Sequence, residues 1–180
     1  MESESLKKKG FRERFLQKKI LLILLVLVVV VGGGGYAAME VASGNPAFCA
    51  NCHNMQPYYD SWSNSNLLAK KHADAKVNCH DCHEPSFSQQ AEEGFKYVTG
   101  DFEEPMQQQK FPKEMCLKCH DYEKVKAKTS SDKYNPHDSH NGEQECYTCH
   151  SMHRQSTVQC AQCHSAAWMK NLDGSWKKGK

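Results

Sequence analysis

The sequence predicts a mainly α-helical chain with extensive loops, in which one N-terminal transmembrane helix precedes a small cysteine-rich domain. An unbroken apolar run near the N-terminus indicates the transmembrane helix. No segment sustains the alternation of apolar and polar residues that a half-buried strand would show. Only 39% of the residues are hydrophobic, and many of these lie in the N-terminal run. The rest of the chain is therefore too polar for a conventional hydrophobic core. It needs another source of stability, such as disulfides or bound metals.

The N-terminal segment has the pattern of a membrane anchor. Residues 7–19 read KKKGFRERFLQKK, and residues 20–39 carry no charge. Such a run is long enough to cross a bilayer core of about 30 Å as a helix, and the basic flank would stay in the cytoplasm. We therefore predict a cytoplasmic basic tail at 1–18 and a single-pass anchor in the cytoplasmic membrane at 19–42. A cleaved signal peptide is the alternative, and it also exports the remaining chain to the extracytoplasmic, or periplasmic, side.

All ten cysteines belong to five copies of C-x-x-C-H, the attachment motif of c-type haem. Two thiols on one turn can form thioethers with haem, and the histidine that follows can bind the iron. A zinc site or a set of disulfides would leave the five histidines unexplained. We therefore predict five covalently bound haem c groups in a domain at 44–170, followed by a flexible tail at 171–180. The attaching cysteines are Cys49, Cys52, Cys79, Cys82, Cys116, Cys119, Cys146, Cys149, Cys160 and Cys163, and the motif histidines are His53, His83, His120, His150 and His164.

The remaining histidines nearly match the number of irons. His80 lies inside its own motif and is poorly placed to bind that iron, so we treat it as a bystander. Four histidines are left as second ligands. Four irons could therefore each bind two imidazoles, which leaves no open ligand position and suits electron transfer. Spacing does not say which histidine serves which motif. The four are His72, His137, His140 and His153.

The first motif continues into Met55, two residues after His53. A thioether ligand to this iron would raise its reduction potential. Met55 could equally pack against the porphyrin as a pliable apolar side chain. Both interpretations remain open on spacing alone.

The basic flank, the single anchor, the Gly-rich exit and the stretch NPAFCANCHNM together resemble the NapC/NirT family of membrane-anchored multihaem quinol dehydrogenases. This family includes the small subunit of cytochrome c nitrite reductase. The resemblance implies that Met55 binds the first iron in place of His53, beside a quinol pocket. It also implies that His72 binds the iron of another motif. Members typically have four motifs, whereas this chain has five.

The same resemblance implies a quinol site between the second and third motifs, formed by a lysine and an acidic residue. Lys96 and Asp101 are the candidates, and Glu103 or Glu104 could replace Asp101. A carboxylate there could accept a proton from quinol. The competing interpretation is a solvent-exposed helix end. Farther along, the stretch NPHDSHNGEQECYTCHSMH and the CAQCH that follows it resemble the last two haem sites of small tetrahaem cytochromes and of flavocytochrome fumarate reductase haem domains.

The sequence thus predicts a membrane-anchored pentahaem cytochrome that oxidises membrane quinol and passes electrons to an extracytoplasmic terminal reductase or flavoprotein. An electron relay or exported shuttle without quinol oxidation is the alternative, and a terminal reductase for a small substrate is a third. The formal net charge of +2 gives no reason to expect a nucleic-acid partner. Helices are expected at 57–71, 87–98 and 116–127, with a loop at 126–138 between the first three haem groups and the last two.

Overall fold

The computed structural model describes residues 2–131 and 134–177, with side chains described from residue 15 onward. The chain divides into two compact units, residues 1–45 and residues 46–180. The first unit contains one long helix, α1, at Glu2–Ser43. Within it, Phe15–Ser43 is long and apolar enough to cross a membrane, a property that a signal sequence shares.

The second unit is built from short helices joined by loops, as the fold prediction required. Its only β pairing within the described ranges is an isolated parallel bridge between Ser156 and Trp176. Two 3-10 helices each carry part of a C-x-x-C-H motif. In chain order the helices are α2 at Pro46–Cys49, α3 at Gln56–Ser63, α4 at Leu68–Asp74, α5 at Cys79–Cys82, α6 at Phe87–Thr99, α7 at Lys113–Leu117, α8 at Tyr122–Thr129, the 3-10 helices Cys146–Thr148 and Gln159–Gln162, and α9 at Ala167–Lys170.

Local capping residues explain where the best-defined helix begins and ends. The Ser86 hydroxyl accepts a hydrogen bond from the Gln89 amide, and the Gln89 side chain bonds back to the Ser86 amide. This capping box satisfies two donors that the first turn would otherwise leave unpaired. Gly100 ends the helix with φ of 76°, in the left-handed region where glycine carries no steric cost. The helix predicted at 87–98 is thereby confirmed.

The other two predicted helices are each interrupted. The segment at 57–71 forms α3 and α4, because the chain leaves the helical path at Asn64 and re-enters it after Leu67. The segment at 116–127 spans the end of α7 and most of α8, which begins anew at Asp121, whose carboxylate accepts a hydrogen bond from the Lys124 amide. The second break contains Cys119 and His120 of the third motif, and apolar periodicity records neither break. The predicted loop at 126–138 includes the end of α8, and residues 132 and 133 lie outside the described residues.

The second unit has almost no apolar core of its own. Among the described residues the only buried hydrophobic side chains are Ala69 and Ala166. The side chains that are fully buried are two serines, Ser156 and Ser175. A chain of this size cannot offset its conformational entropy with so little apolar burial, so large apolar groups must fill the spaces between its loops.

The C-terminal segment makes contacts that the prediction of a flexible tail from residue 171 did not anticipate. The Ser156 amide donates to the Ser175 carbonyl at 2.8 Å, and the Lys177 amide donates to the Ser156 carbonyl at 2.8 Å. The segment 171–177 therefore has a defined position against the loop at 155–157. The last three residues of the predicted tail lie outside the described residues.

Without attached haem, we expect the second unit to lose its compact structure, because its own side chains bury too little apolar surface. Limited trypsin digestion should cleave the haem-free chain throughout residues 46–177 at least about tenfold faster than the loaded protein, since proteolysis follows the population of open states. Peptide mass mapping would locate the cuts. Equal protection of the two forms would contradict this prediction.

Candidate haem-binding site

Four of the five motifs share one backbone turn, and the first motif departs from it. In the four later motifs the histidine amide donates to the carbonyl of the first cysteine, at distances of 2.8–3.0 Å. This turn places two thiols and an imidazole on one side of a short segment, as haem attachment requires. In the first motif the His53 amide instead points to the hydroxyl of Tyr97, at 3.4 Å.

Each of the four later motif histidines faces one of the predicted second ligands. The ring centroids are 6.3 Å apart for His83 and His153, and 6.0 Å apart for His72 and His120. The same distance is 6.0 Å in the pair of His137 with His150 and 5.8 Å in the pair of His140 with His164. The sequence left this pairing undetermined, and the structure brings together all eight histidines.

These separations fit an iron held between two imidazoles. Two metal–nitrogen bonds of about 2 Å, with about 1.1 Å from each nitrogen to its ring centre, place the centroids about 6 Å apart. The space between the rings of each pair therefore has the width that a six-coordinate haem iron needs. The assignment of these eight side chains as ligands stays a prediction that the spacing supports.

Three of the second-ligand histidines have a protein partner at the ring nitrogen Nδ1. His72 Nδ1 lies 2.9 Å from the Leu68 carbonyl, within α4. His137 Nδ1 lies 2.8 Å from the Thr129 hydroxyl, and His153 Nδ1 lies 2.6 Å from the Ser61 hydroxyl. Metal-binding histidines commonly use one ring nitrogen in this way, which fixes the ring orientation and leaves the other nitrogen for the metal.

Burial favours the neutral imidazole at several of these positions. It lowers the pKa of His153 to about 4, with a further contribution from His83. Burial also lowers the pKa of His83, of His137 and of His150. The neutral ring is the form that binds a metal, so these side chains need no deprotonation at neutral pH.

The attaching thiols of successive motifs lie near one another. Burial raises the pKa of the Cys79 thiol, and Cys49 of the first motif raises it further. Burial likewise raises the pKa of Cys82, with Cys116 of the third motif as the next cause. In the fourth motif, burial and then Cys116 raise the pKa of Cys146 to about 11. These thiols become thioethers when haem is attached, and their proximity indicates that motifs one to four follow each other in space as they do in sequence.

The first motif has different surroundings. His53 is the exposed member of a small aromatic group, with ring centroids 5.5 Å from both Tyr97 and Phe102. Its Nδ1 lies 3.0 Å from the Tyr97 hydroxyl, and its Nε2 lies 3.6 Å from a carboxylate oxygen of Glu104. Tyr97 is on α6, and Phe102 and Glu104 follow its end. The Met55 amide donates to the Cys52 carbonyl at 2.9 Å, and Met55 immediately precedes α3.

The two quinol-site candidates lie beside this group without touching His53. The Lys96 ammonium pairs with Glu92 one turn earlier, at 2.6 Å. This hydrogen bond raises the pKa of Lys96, and Asp101 adds to the effect. The Asp101 amide donates to the Lys96 carbonyl at 2.9 Å, beyond the end of α6. Of the acidic residues named from the sequence, Glu104 is the one the structure brings to the first motif.

A cavity of about 390 Å³ borders the fourth motif, and Cys149 and His150 form part of its wall. Lys110, Arg154 and Lys177 also line it. Three cations beside an attachment site suit the carboxylate-bearing edge of a haem. This cavity would place those carboxylates between two loops that are distant in sequence.

Five attachment motifs, four facing histidine pairs and a domain without its own apolar core define a multihaem c-type cytochrome, whose role is electron transfer. The sequence profile described as cytochrome c3 matches residues 71–165. The cytochrome c-type protein Cgr1 of Eggerthella lenta is 33% identical over 156 residues, an alignment that covers 68% of this chain and 72% of that protein. No solved structure matches the chain. The chain belongs to the cytochrome c3 family.

The matched range contains motifs two to five and all four second-ligand histidines, while Cys49–Met55 lies outside it. Family membership implies covalently bound haem c. The finer assignment to the NapC/NirT family is taken up with the proposed function.

Several residues that shape the site were not found from the sequence. Ser61 contacts His153 across 92 positions, and Tyr97 contacts His53 across 44. A serine or tyrosine that far from a histidine in the chain forms no recognisable sequence motif with it. Thr129, only eight positions from His137, carries no motif either.

The pairing can be tested by comparing His72→Ala with His80→Ala. Removal of His72 should leave the iron beside His120 with one open position, because no other histidine faces that ring within the described part of the chain. Reduced His72→Ala protein should then bind one more carbon monoxide per chain than the parent, measured by optical titration.

His80→Ala is the matched control, since His80 faces none of the paired rings. It should bind the same amount of carbon monoxide as the parent protein. An extra equivalent in His80→Ala, or none in His72→Ala, would contradict the pairing.

Proposed function

We propose that this protein is a membrane-anchored pentahaem cytochrome of the NapC/NirT type, which oxidises membrane quinol beside the first motif and passes electrons to an extracytoplasmic reductase or flavoprotein. The observation that carries the proposal is the environment of His53. The other four motif histidines each face a histidine, whereas both ring nitrogens of His53 point to oxygen atoms of Tyr97 and Glu104. A haem site without paired imidazoles suits substrate oxidation better than a site in which two histidines fill both ligand positions.

Met55 is then the iron ligand at this motif, as the family resemblance implies. The Glu104 carboxylate lies 3.6 Å from His53 Nε2, the nitrogen that an iron would otherwise occupy. The His53 imidazole therefore remains available to a bound quinol. Met55 is half-buried and two residues after His53, and it can supply a thioether, which raises the reduction potential of its site. A higher potential at the entry point suits acceptance of electrons from quinol.

The residues around His53 can manage the protons of quinol oxidation. Haem, when bound, supplies a one-electron couple, and the protein must hold quinol in place and receive its two protons. Glu104 and Asp101 are carboxylates that can accept a proton, and the Tyr97 hydroxyl can donate a hydrogen bond to a quinol oxygen. Lys96 acts less directly than the resemblance implies, because Glu92 already engages its ammonium group.

The order and exposure of the later motifs support a direction for electron transfer. The thiols of motifs one to four lie near one another in chain order, and the histidine pair at the fifth motif, His140 and His164, is exposed on both members. An exposed pair at the end of the series is the natural place for a reductase or flavoprotein to approach. The apolar span Phe15–Ser43 would keep the quinol end at the membrane.

An electron relay or exported shuttle without quinol oxidation is the second candidate. It is favoured by the family match, which covers residues 71–165 and omits the first motif. A cleaved N-terminal segment would also fit this function, because a signal sequence near the N-terminus can be as apolar as the span Phe15–Ser43.

The proposal can be tested with the full-length protein extracted from membranes. A menaquinol analogue is added, and haem reduction is followed by stopped-flow absorbance in the parent and in Glu104→Gln. Reduction should slow by at least about tenfold in the variant, since a positioned proton acceptor contributes about 100-fold or more to such a step. Met55→Ala and Asp101→Asn should also slow it.

Glu103→Gln is the matched control, because Glu103 bonds to Gln107 and not to His53. It should react at the parent rate, and dithionite should reduce all variants alike. If no substitution changed the quinol rate, or if quinol reduced none of the proteins, the relay function would replace quinol oxidation.

A further inference from the structure

The C-terminal segment, residues 171–177, is fixed to the loop that follows the fourth motif. The Ser156 amide donates a hydrogen bond to the Ser175 carbonyl, and both serines are fully buried. The Gln155 amide side chain donates to the carbonyls of Gly174 at 3.1 Å and of Trp176 at 3.3 Å. With the bond from the Lys177 amide to the Ser156 carbonyl, four hydrogen bonds therefore hold four consecutive residues of the segment, 174–177, against one loop.

The same segment is tied to helix α4, which carries His72. The Asp173 carboxylate accepts hydrogen bonds from the Lys71 ammonium at 2.5 Å and from the Ser175 amide at 2.9 Å. These bonds, with Lys71 the largest cause, lower the pKa of Asp173 to about 2, so the carboxylate stays charged at neutral pH. Gly174 passes so close to Asn66 that a Cβ there would lie 2.4 Å from the amide nitrogen of its side chain.

These attachments place Trp176 against the histidine of the fourth motif. The indole and the His150 ring lie 5.1 Å apart at an angle of 68°, an edge contact. His150 also faces His137, with the two ring centroids 6.0 Å apart and the ring planes at 5° to each other. No other predicted ligand has a tryptophan ring as a neighbour in residues 15–131 and 134–177.

We propose that Trp176 is a positioning residue for the fourth haem site, which fixes the rotation of the His150 imidazole and keeps water from that side of it. An imidazole ligand with a fixed plane and a dry, aromatic neighbour disfavours the more highly charged oxidised iron. Trp176 thus raises the reduction potential of this site. The inference rests on haem binding at the fourth motif and not on quinol oxidation.

The test uses the full-length, haem-loaded protein and measures the potential of each haem by spectroelectrochemistry. Trp176→Ala should lower the potential at the His150 site by an amount equal to about a tenfold change in the redox equilibrium, which is about 59 mV for a one-electron couple. The ferric electron paramagnetic resonance spectrum should change at the same site, because it reports the angle between the two imidazole planes. His137→Met, which changes the second ligand of this site, identifies the signal.

Gln155→Ala provides an independent variant that keeps the indole and removes the two hydrogen bonds from the Gln155 side chain to the carbonyls of Gly174 and Trp176. It should shift the same potential in the same direction. Trp168→Phe, a tryptophan outside the segment, is the control and should leave all potentials as in the parent. The proposal is overturned if Trp176→Ala and Gln155→Ala leave the potential and spectrum of the His150 site unchanged. It is equally overturned if Trp168→Phe produces the same shift, or if the change falls on other sites only.

Discussion

Four pairs of imidazole rings, about 6 Å apart, are the constraint on which the rest of this domain depends. Two of them join segments far apart in the chain: His72 with His120, and His83 with His153. In a protein whose described part buries only two hydrophobic side chains, haem bridges between the paired rings would take the place of a core. Each bridge closes a loop whose ends would be costly to bring together by weak contacts alone. The hydroxyl partners of the histidines fix the orientation of the rings. The short helices and their cap residues position the segments that carry those rings, so that the paired centroids stay about 6 Å apart.

The first motif lacks this constraint, and the difference is visible at two levels. In the backbone its histidine amide leaves the shared turn and points to Tyr97. In the family match it lies outside the range 71–165 that contains the other four motifs. These facts separate the first motif from the four later motifs, whose histidines face one another in pairs and which the cytochrome c3 profile covers. That division is what the proposed roles of quinol entry and electron transfer require.

The sequence predicted the parts of this site that follow from local chemistry. It identified the attachment motifs and proposed the four second ligands, because each depends on counting residues with few possible uses; the roles of those four histidines and of His80 stay predictions. It could not predict the pairing, since His153 meets His83 through a fold that spacing does not encode. Nor could it predict that Lys96 would be engaged by Glu92, or that Trp176 would lie against His150, because lysine, glutamate and tryptophan have many possible partners. The helix breaks after Ser63 and Leu117 were missed because apolar periodicity does not record where a helix stops and restarts.

The central claim is that haem is attached to this chain at five places. Intact mass spectrometry of the mature protein, purified from membranes under denaturing conditions, tests this most directly, because thioether-linked haem remains on the polypeptide when all other contacts are lost. We expect the mass of the mature polypeptide plus five haem increments, with peptides mapping one increment to each pair of cysteines. A chain carrying no haem, or one in which the first pair of cysteines is unmodified, would contradict the account: the former removes the domain's core and the latter removes the proposed site of quinol oxidation.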